Sequence, residues 1–163
     1  MLKTSLLAAL LLSASAGAFA QSPAPATAAK TQAAPALTSE QKAQLQKENA
    51  QMAQNSLRIA QMVDQGQIGS VWDQASSVTK QTSKRADFVQ QIGADRTKLG
   101  APGTRKLAAI TRTQSKGGPV PPGLYINVSY ATQFAKVQKP VRELISFHLD
   151  TDRIWRVAGY TVR

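Results

Sequence analysis

The chain has 163 residues, of which 42% are hydrophobic and 18% are charged, and its formal net charge is +11. This length predicts one modest domain and excludes a multidomain enzyme. Cys is absent and His148 is the only histidine, which excludes disulfides, thiolate nucleophiles and zinc sites of Cys or several His within one chain. We therefore expect no metal, no cofactor and no catalytic residue.

Residues 1–20 have the pattern of a secretory signal peptide. Lys3 precedes an apolar stretch from Leu6 to Leu12, and Ala18-Phe19-Ala20 is typical of a cleavage site. The apolar stretch is shorter than the roughly 20 residues that a membrane anchor needs. We expect a soluble periplasmic or secreted protein with no transmembrane segment after signal cleavage.

Residues 21–37 are rich in Ala and Pro and are predicted to form a disordered leader before a single domain at residues 38–163. Thr38 and Gln41 have the spacing of a capping box, which predicts that a long helix begins there. Its apolar stripe consists of Leu45, Met52, Ile59 and Val63. Gly66 is predicted to end this helix.

Two further helices are predicted before the chain becomes extended. The first is short, runs over Ser70-Val71-Trp72-Asp73 and turns Trp72 inward. The second begins after Ser83 and stops at Gly100, because Gly is typical of a helix C-terminus. Its apolar residues are Phe88, Ile92 and Leu99.

After Pro102 the sequence predicts four antiparallel strands. They lie near residues 105–113, 124–134, 140–149 and 154–162, with a Gly- and Pro-rich loop at residues 116–123. The fold class is therefore α+β, with N-terminal helices packed on one face of a curved four-stranded sheet.

Alternation along the strands predicts which side chains face the helices. In the second strand Leu124, Ile126, Val128, Tyr130 and Phe134 share the apolar face. In the third strand Ile145, Phe147 and Leu149 share the apolar face, and Arg142, Ser146 and His148 share the polar one. In the last strand Trp155, Val157 and Gly159 share one face, with Trp155 packed against Trp72 or Phe88 and Gly159 close beneath a helix.

Four motifs carry a resemblance to a known family. They are Trp72-Asp73-Gln74-Ala75-Ser76, the stretch from Phe88 to Leu107, Pro122-Gly123-Leu124-Tyr125, and Trp155-Arg156-Val157-Ala158-Gly159-Tyr160. Together they resemble the bacterial secreted family called domain of unknown function four-zero-one-nine. The resemblance implies a cystatin-like or nuclear-transport-factor-like cone and no particular reaction. The turn before Trp155 lacks the Gly that the family pattern leads us to expect.

Few residues suggest catalysis. A general base at His148 would need an orienting partner, and Asp150 is the one acid near it in sequence, so we interpret His148 as a surface residue. An enzyme using Asp73 or His148 is an alternative that rests on analogy with cone folds. A second alternative is a small-ligand pocket lined by Trp72, Tyr125 and Tyr160 near the cone mouth.

Positive charge is concentrated in residues 80–116, which hold nine bases and two acids. Such a segment attracts polyanions, and the predicted contacts are Lys80, Lys84, Arg85, Arg105 and Lys106. An exported chain without aromatics between these bases is not expected to bind nucleic acid. The leading hypothesis is a non-enzymatic exported accessory or binding protein, whose partner is an anionic envelope component or another protein.

Overall fold

Four helices precede four strands in residues 37–163, the part of the chain that the computed structural model describes. Leu37–Arg163 form one compact unit. The predicted signal peptide lies outside the described residues, as does the predicted leader except for its last residue. The helices are α1 (Ser39–Asp64), α2 (Ile68–Asp73), α3 (Ser77–Thr82) and α4 (Arg85–Leu99).

The long helix α1 begins at the predicted capping box. Gln41 N donates to Thr38 Oγ1 over 3.2 Å, and Thr38 N donates to Gln41 Oε1 over 2.9 Å. Each side chain thus accepts a hydrogen bond from a backbone N–H group that has no partner within the helix. The helix buries Met52, Ser56, Ile59, Ala60 and Val63. These residues confirm the predicted stripe, although its first member, Leu45, is only half-buried.

The sequence predicted three helices, and the structure has four. The additional helix, α3, is six residues of Ser, Val, Thr, Lys and Gln with no apolar periodicity, so its sequence gives no helical signal. Ser76 caps it by accepting a hydrogen bond from Val78 N. Its position on the sheet edge stabilises it, because Ser76 N and Thr79 Oγ1 both donate to Val157 O.

The four predicted strands are confirmed and form an antiparallel sheet in the order β1-β2-β3-β4. They are β1 (Pro102–Ser115), β2 (Gly123–Phe134), β3 (Val141–Leu149) and β4 (Trp155–Val162). The α+β fold class is therefore as predicted. The first strand is longer than its predicted 105–113, because pairing with β2 extends it beyond its weak sequence pattern.

The inner face of the sheet packs against α1 and α4 to form the core. Its central side chains, all at most 3% exposed, are Ile126, Val128, Ile145 and Phe147. The inner face was predicted correctly for these positions. Leu124 shares this side in the register, as predicted, but it lies at the strand end and is 45% exposed. We call the opposite side of the sheet the outer face; in the described chain neither α1 nor α4 packs on it.

A β-bulge at Ala158 changes the predicted faces of β4. Ser146 pairs with Gly159 but Phe147 pairs with Val157, so Ala158 is the extra residue. The alternation therefore reverses: Val157 and Tyr160 are buried on the inner side, and Gly159 faces outward. The prediction that Gly159 lies tightly beneath a helix is wrong, because a Cβ there would meet no atom within 4 Å.

Trp155 contacts the helix layer as predicted, but its neighbours belong to α1. It is half-buried against the core and shares surface grooves with Met52, Asn55 and Ile59. Trp72 is also half-buried, and its Nε1 donates to Ser83 O over 3.3 Å. In the turn before Trp155, Arg153 adopts φ 64°, the left-handed conformation for which the family pattern led us to expect Gly.

Candidate functional site

A buried ion network crosses the inner face at the end of the sheet away from α3. Arg105 Nη1 lies 2.7 Å from Asp64 Oδ2, and its Nε lies 2.6 Å from Glu143 Oε2. Arg96 Nη2 lies 2.7 Å from Asp64 Oδ1, so the network consists of two carboxylates and two guanidinium groups. Tyr160 donates to Glu143 over 2.6 Å. The network is charge-balanced, and all buried side-chain nitrogen and oxygen atoms of the described residues have hydrogen-bond partners.

The electrostatics of the network fix its protonation state. Burial alone would raise the pKa of Glu143, but hydrogen bonds from Arg105, Thr132 and Tyr160 lower it below its ordinary value. Burial and the adjacent Glu143 charge raise the pKa of Tyr160. A neutral tyrosine and an ionised glutamate hold each other in place. We interpret this network as a structural tie between α1, α4 and the sheet, because no partner in it is free for a ligand.

A second buried cluster joins the start of α3 to the end of β3. His148 Nδ1 lies 2.8 Å from Asp150 Oδ1 and 3.2 Å from Ser76 Oγ, and Ser76 also donates to Asp150. His148 is only 7% exposed, so its predicted surface position is wrong. Asp150 is the orienting partner that sequence proximity alone did not establish.

This cluster differs from a nucleophile-activating relay. In such a relay the serine and the carboxylate contact opposite nitrogens of the imidazole, whereas here both contact Nδ1. The other nitrogen, Nε2, faces the backbone of β2, because a Cβ added to Gly123 would clash with it. Burial alone would raise the pKa of Asp150, but hydrogen bonds from Ser76 and His148 lower it below its ordinary value. The geometry anchors a helix cap and activates no hydroxyl.

Asp73, the other candidate acid, is on the surface. Arg85 forms a bidentate pair with it, with Nε 2.9 Å from Oδ1 and Nη2 3.1 Å from Oδ2. Lys80 donates to the backbone oxygen of Asp73 over 2.7 Å and lies 5.5 Å from the centroid of the Trp72 ring. The hydrogen bond from Arg85 lowers the pKa of Asp73, so this carboxylate is poorly suited to accept a proton.

The predicted polyanion contacts do not form one free patch. Arg105 is buried in the ion network and Arg85 is paired, whereas Lys84 and Lys106 are exposed at different elements. The acids that neutralise the 80–116 segment come mostly from outside it. The bases of that segment that form ion pairs are Arg85, Arg96, Lys98, Arg105 and Arg112.

The structure also separates the three predicted pocket residues. Tyr160 is in the ion network and Trp72 contacts α3 and the turn after it, while Tyr125 lies on the outer face. Tyr125 does line a groove with a volume of about 480 Å³. The groove is lined by residues of the 113–120 segment and by residues of β2, β3 and β4 on the outer face.

A basic row crosses the outer face and was missed by the sequence reasoning. In the register of the sheet Lys106 pairs with Ala131, Ala131 with Arg142, and Arg142 with Arg163 through two backbone hydrogen bonds. Residues paired in this way project to the same face. Lys106, Arg142 and Arg163, which we call the basic row, are all exposed and form no ion pair with another described residue. Lys106 and Arg163 are 57 positions apart in the chain, with Arg142 between them, so only strand register shows that the three form a row.

The outer face has no opposing charge in the described strands. Small polar residues link its strands: Ser146 donates to Asn127 over 2.7 Å, and Arg142 Nε donates to Ser129 over 3.2 Å. None of the outward-facing strand positions is Asp or Glu. This leaves an uncompensated positive charge at one end of the face and the groove at the other.

Neither a metal cluster nor a membrane-spanning helix is found in residues 37–163. No group of three or more His, Asp and Glu side chains there could hold a metal ion. None of the four helices is long and apolar enough to cross a membrane.

Comparison with known proteins identifies the family. No curated protein and no solved structure matches the chain. The family model described as "Protein of unknown function (DUF4019)" matches residues 55–160. This span covers most of the chain and runs from α1 to Tyr160, so it contains both buried clusters and most of the outer face. The chain therefore belongs to the DUF4019 family.

Proposed function

We propose that the protein is a non-enzymatic binding protein of the bacterial envelope that holds anionic lipid head groups on the outer face of its sheet. The basic row supports this proposal. Arg142 and Arg163 are directly paired, and Lys106 lies two strand spacings of about 4.8 Å from Arg142, with Ala131 of β2 between them. Like charges placed directly opposite each other, as in Arg142 and Arg163, repel unless an anion neutralises them. Export rests on the predicted cleavage after Ala20, which the intact mass of the envelope-fraction protein tests.

The open sheet face favours a flat or extended anionic partner. Among the residues described, no helix covers the row, and Arg142 is further held by its hydrogen bond to Ser129. Guanidinium and ammonium groups both bind phosphate, arginine in a bidentate fashion. An uncompensated basic surface also increases the association rate with anionic surfaces.

Vesicle sedimentation tests the proposal. Vesicles of phosphatidylglycerol and phosphatidylcholine should bind the wild type and release it as salt rises, because charges beyond about 8 Å are screened at physiological ionic strength. The triple variant Lys106→Gln, Arg142→Gln, Arg163→Gln should lose binding at least tenfold.

A charge-matched control separates the row from net charge. The variant Lys42→Gln, Lys47→Gln, Lys84→Gln removes the same three charges from α1 and the N-cap of α4, and it should bind like the wild type. Equal losses in both variants would show that net charge alone attracts the vesicles, and the outer face would not be the site. No loss in the row variant would also reject the proposal.

A further inference from the structure

The groove at the other end of the outer face from the basic row indicates what the rest of the ligand is. We infer that the groove binds the hydrocarbon chain of a single-chain anionic amphiphile whose head group lies on the basic row. This inference rests on the proposed function and names its ligand class. Three features support it: the floor of the groove, the wall of the groove, and the residue of β3 that lies between the groove and the row.

The floor of the groove is a glycine that packing does not explain. Gly159 is an outward-facing strand residue, and a Cβ at this position would meet nothing within 4 Å. Glycine weakens a strand and marks places where a ligand or another backbone approaches closely. No backbone of the described chain approaches Gly159 that closely. The open space above it is therefore consistent with a bound molecule.

The wall of the groove is preformed by the β1–β2 loop. Ser115 Oγ donates to Val120 O over 2.8 Å, and Tyr125 OH donates to Pro121 O over 2.9 Å, so the second half of the loop is tied to both β1 and β2. Pro119 and Val120 face the groove, and Val120 is 47% exposed. A volume of about 480 Å³ is within the usual range for small-molecule sites. A rigid apolar wall lowers the entropic cost of binding.

A half-buried apolar side chain connects the row to the groove. On β3 the outward-facing positions are Arg142, Leu144 and Ser146, where Arg142 is in the row and Ser146 lines the groove. Four residues of strand span about 13 Å. Leu144 lies midway between Ser129 of β2 and Thr161 of β4. A head group on Arg142 therefore places its hydrocarbon chain over Leu144 and into the groove.

Titration with octyl, decyl and dodecyl phosphate below their micelle concentrations tests the inference, with glycerol phosphate as the chainless probe. Each buried methylene is worth about 0.8 kcal/mol, so affinity should rise roughly fourfold per methylene. In Gly159→Val the added side chain occupies the floor of the groove, where a Cβ would meet no atom within 4 Å, and the chain-length dependence should disappear. The matched control Thr111→Val changes an exposed outer-face residue that does not line the groove, and it should behave like the wild type.

The two proposals fail differently. Vesicle binding that depends on the row, combined with equal affinity for all three alkyl phosphates, would leave the proposed function intact and overturn this inference. Chain-length dependence that survives in Gly159→Val would show that the hydrocarbon binds elsewhere and would also overturn it. Chain-length dependence that persists in the row variant while its vesicle binding is unchanged would reject the proposed function.

Discussion

Arg105 and Lys106 are neighbours in the chain but belong to opposite surfaces of the sheet. Arg105 faces inward, is paired with Thr132 in the register and lies between Asp64 and Glu143. Lys106 faces outward, is paired with Ala131 and has no acid partner in the described chain. The same charge is therefore structural on one face and available to a ligand on the other. A count of bases along the sequence cannot distinguish these two roles.

The largest difference between the two faces is expected for Arg105→Ala. This change leaves Glu143 buried, ionised and without its main partner, and breaking a buried pair typically costs about 3 to 5 kcal/mol. Lys106→Ala should change the free energy of unfolding by less than about 0.5 kcal/mol. Urea unfolding of both variants checks the comparison, and equal midpoints would show that the network contributes little stability.

Acid should weaken the ion network on the inner face. The pKa of Glu143 is below its ordinary value of 4.5 in the folded state. Its stabilising contribution is thus present above pH 4.5 and is lost as the pH falls through the lowered folded pKa. One such group adds at most about 1.4 kcal/mol per pH unit to the slope of the unfolding free energy against pH.

Comparing wild type with Glu143→Gln isolates that contribution from the similar one of Asp150. The stability of the Gln variant should be lower at neutral pH and should fall less steeply between pH 5 and roughly pH 3. Parallel pH profiles, measured by denaturant unfolding at each pH, would show that folding does not lower the pKa of Glu143.

Two glycines distinguish the covered part of the outer face from its open part. Gly123 has φ +145° and its added Cβ would clash with the buried His148 ring, so Gly123→Ala should cost on the order of 2 kcal/mol. Gly159→Val should stabilise the protein by up to about 1 kcal/mol, since valine favours strands and nothing blocks its side chain. Thermal unfolding of both variants tests these two predictions. Destabilisation by Gly159→Val would mean that the groove is not open.

The smallest effect is expected for the basic row itself. Replacing Lys106, Arg142 and Arg163 by Gln removes like-charge repulsion but also the hydrogen bond from Arg142 to Ser129. The two effects oppose each other, so stability should change by no more than about 0.5 kcal/mol. Denaturant unfolding of the triple variant at low and high salt measures this change in the free energy of unfolding. A loss of several kcal/mol would assign the row a structural role like that of Arg105.

The position of His148 shows why strand alternation predicted orientation but not burial. Its outward direction on β3 was predicted correctly, since it shares the face of Ser146. Burial comes from α3, whose cap residue Ser76 is 72 positions away, and from the close approach of Gly123. Neither contact has a local sequence signal. The candidate site was likewise only partly predictable. The sequence indicated Lys106 as a polyanion contact and Tyr125 as a pocket residue, but it did not indicate Arg142, Arg163 or Gly159 as site residues.

The sequence by itself determined the features that depend on neighbouring residues. The capping box at Thr38, the helix end at Gly100 and the alternation of β2 depend on short-range backbone geometry, so their patterns could be recognised. Tertiary structure decided which charges are neutralised, which face Tyr160 takes after the bulge at Ala158, and which bases share a row. These features depend on strand register and on partners far away in the chain, because a charge or a side chain takes its role from what lies across from it in space.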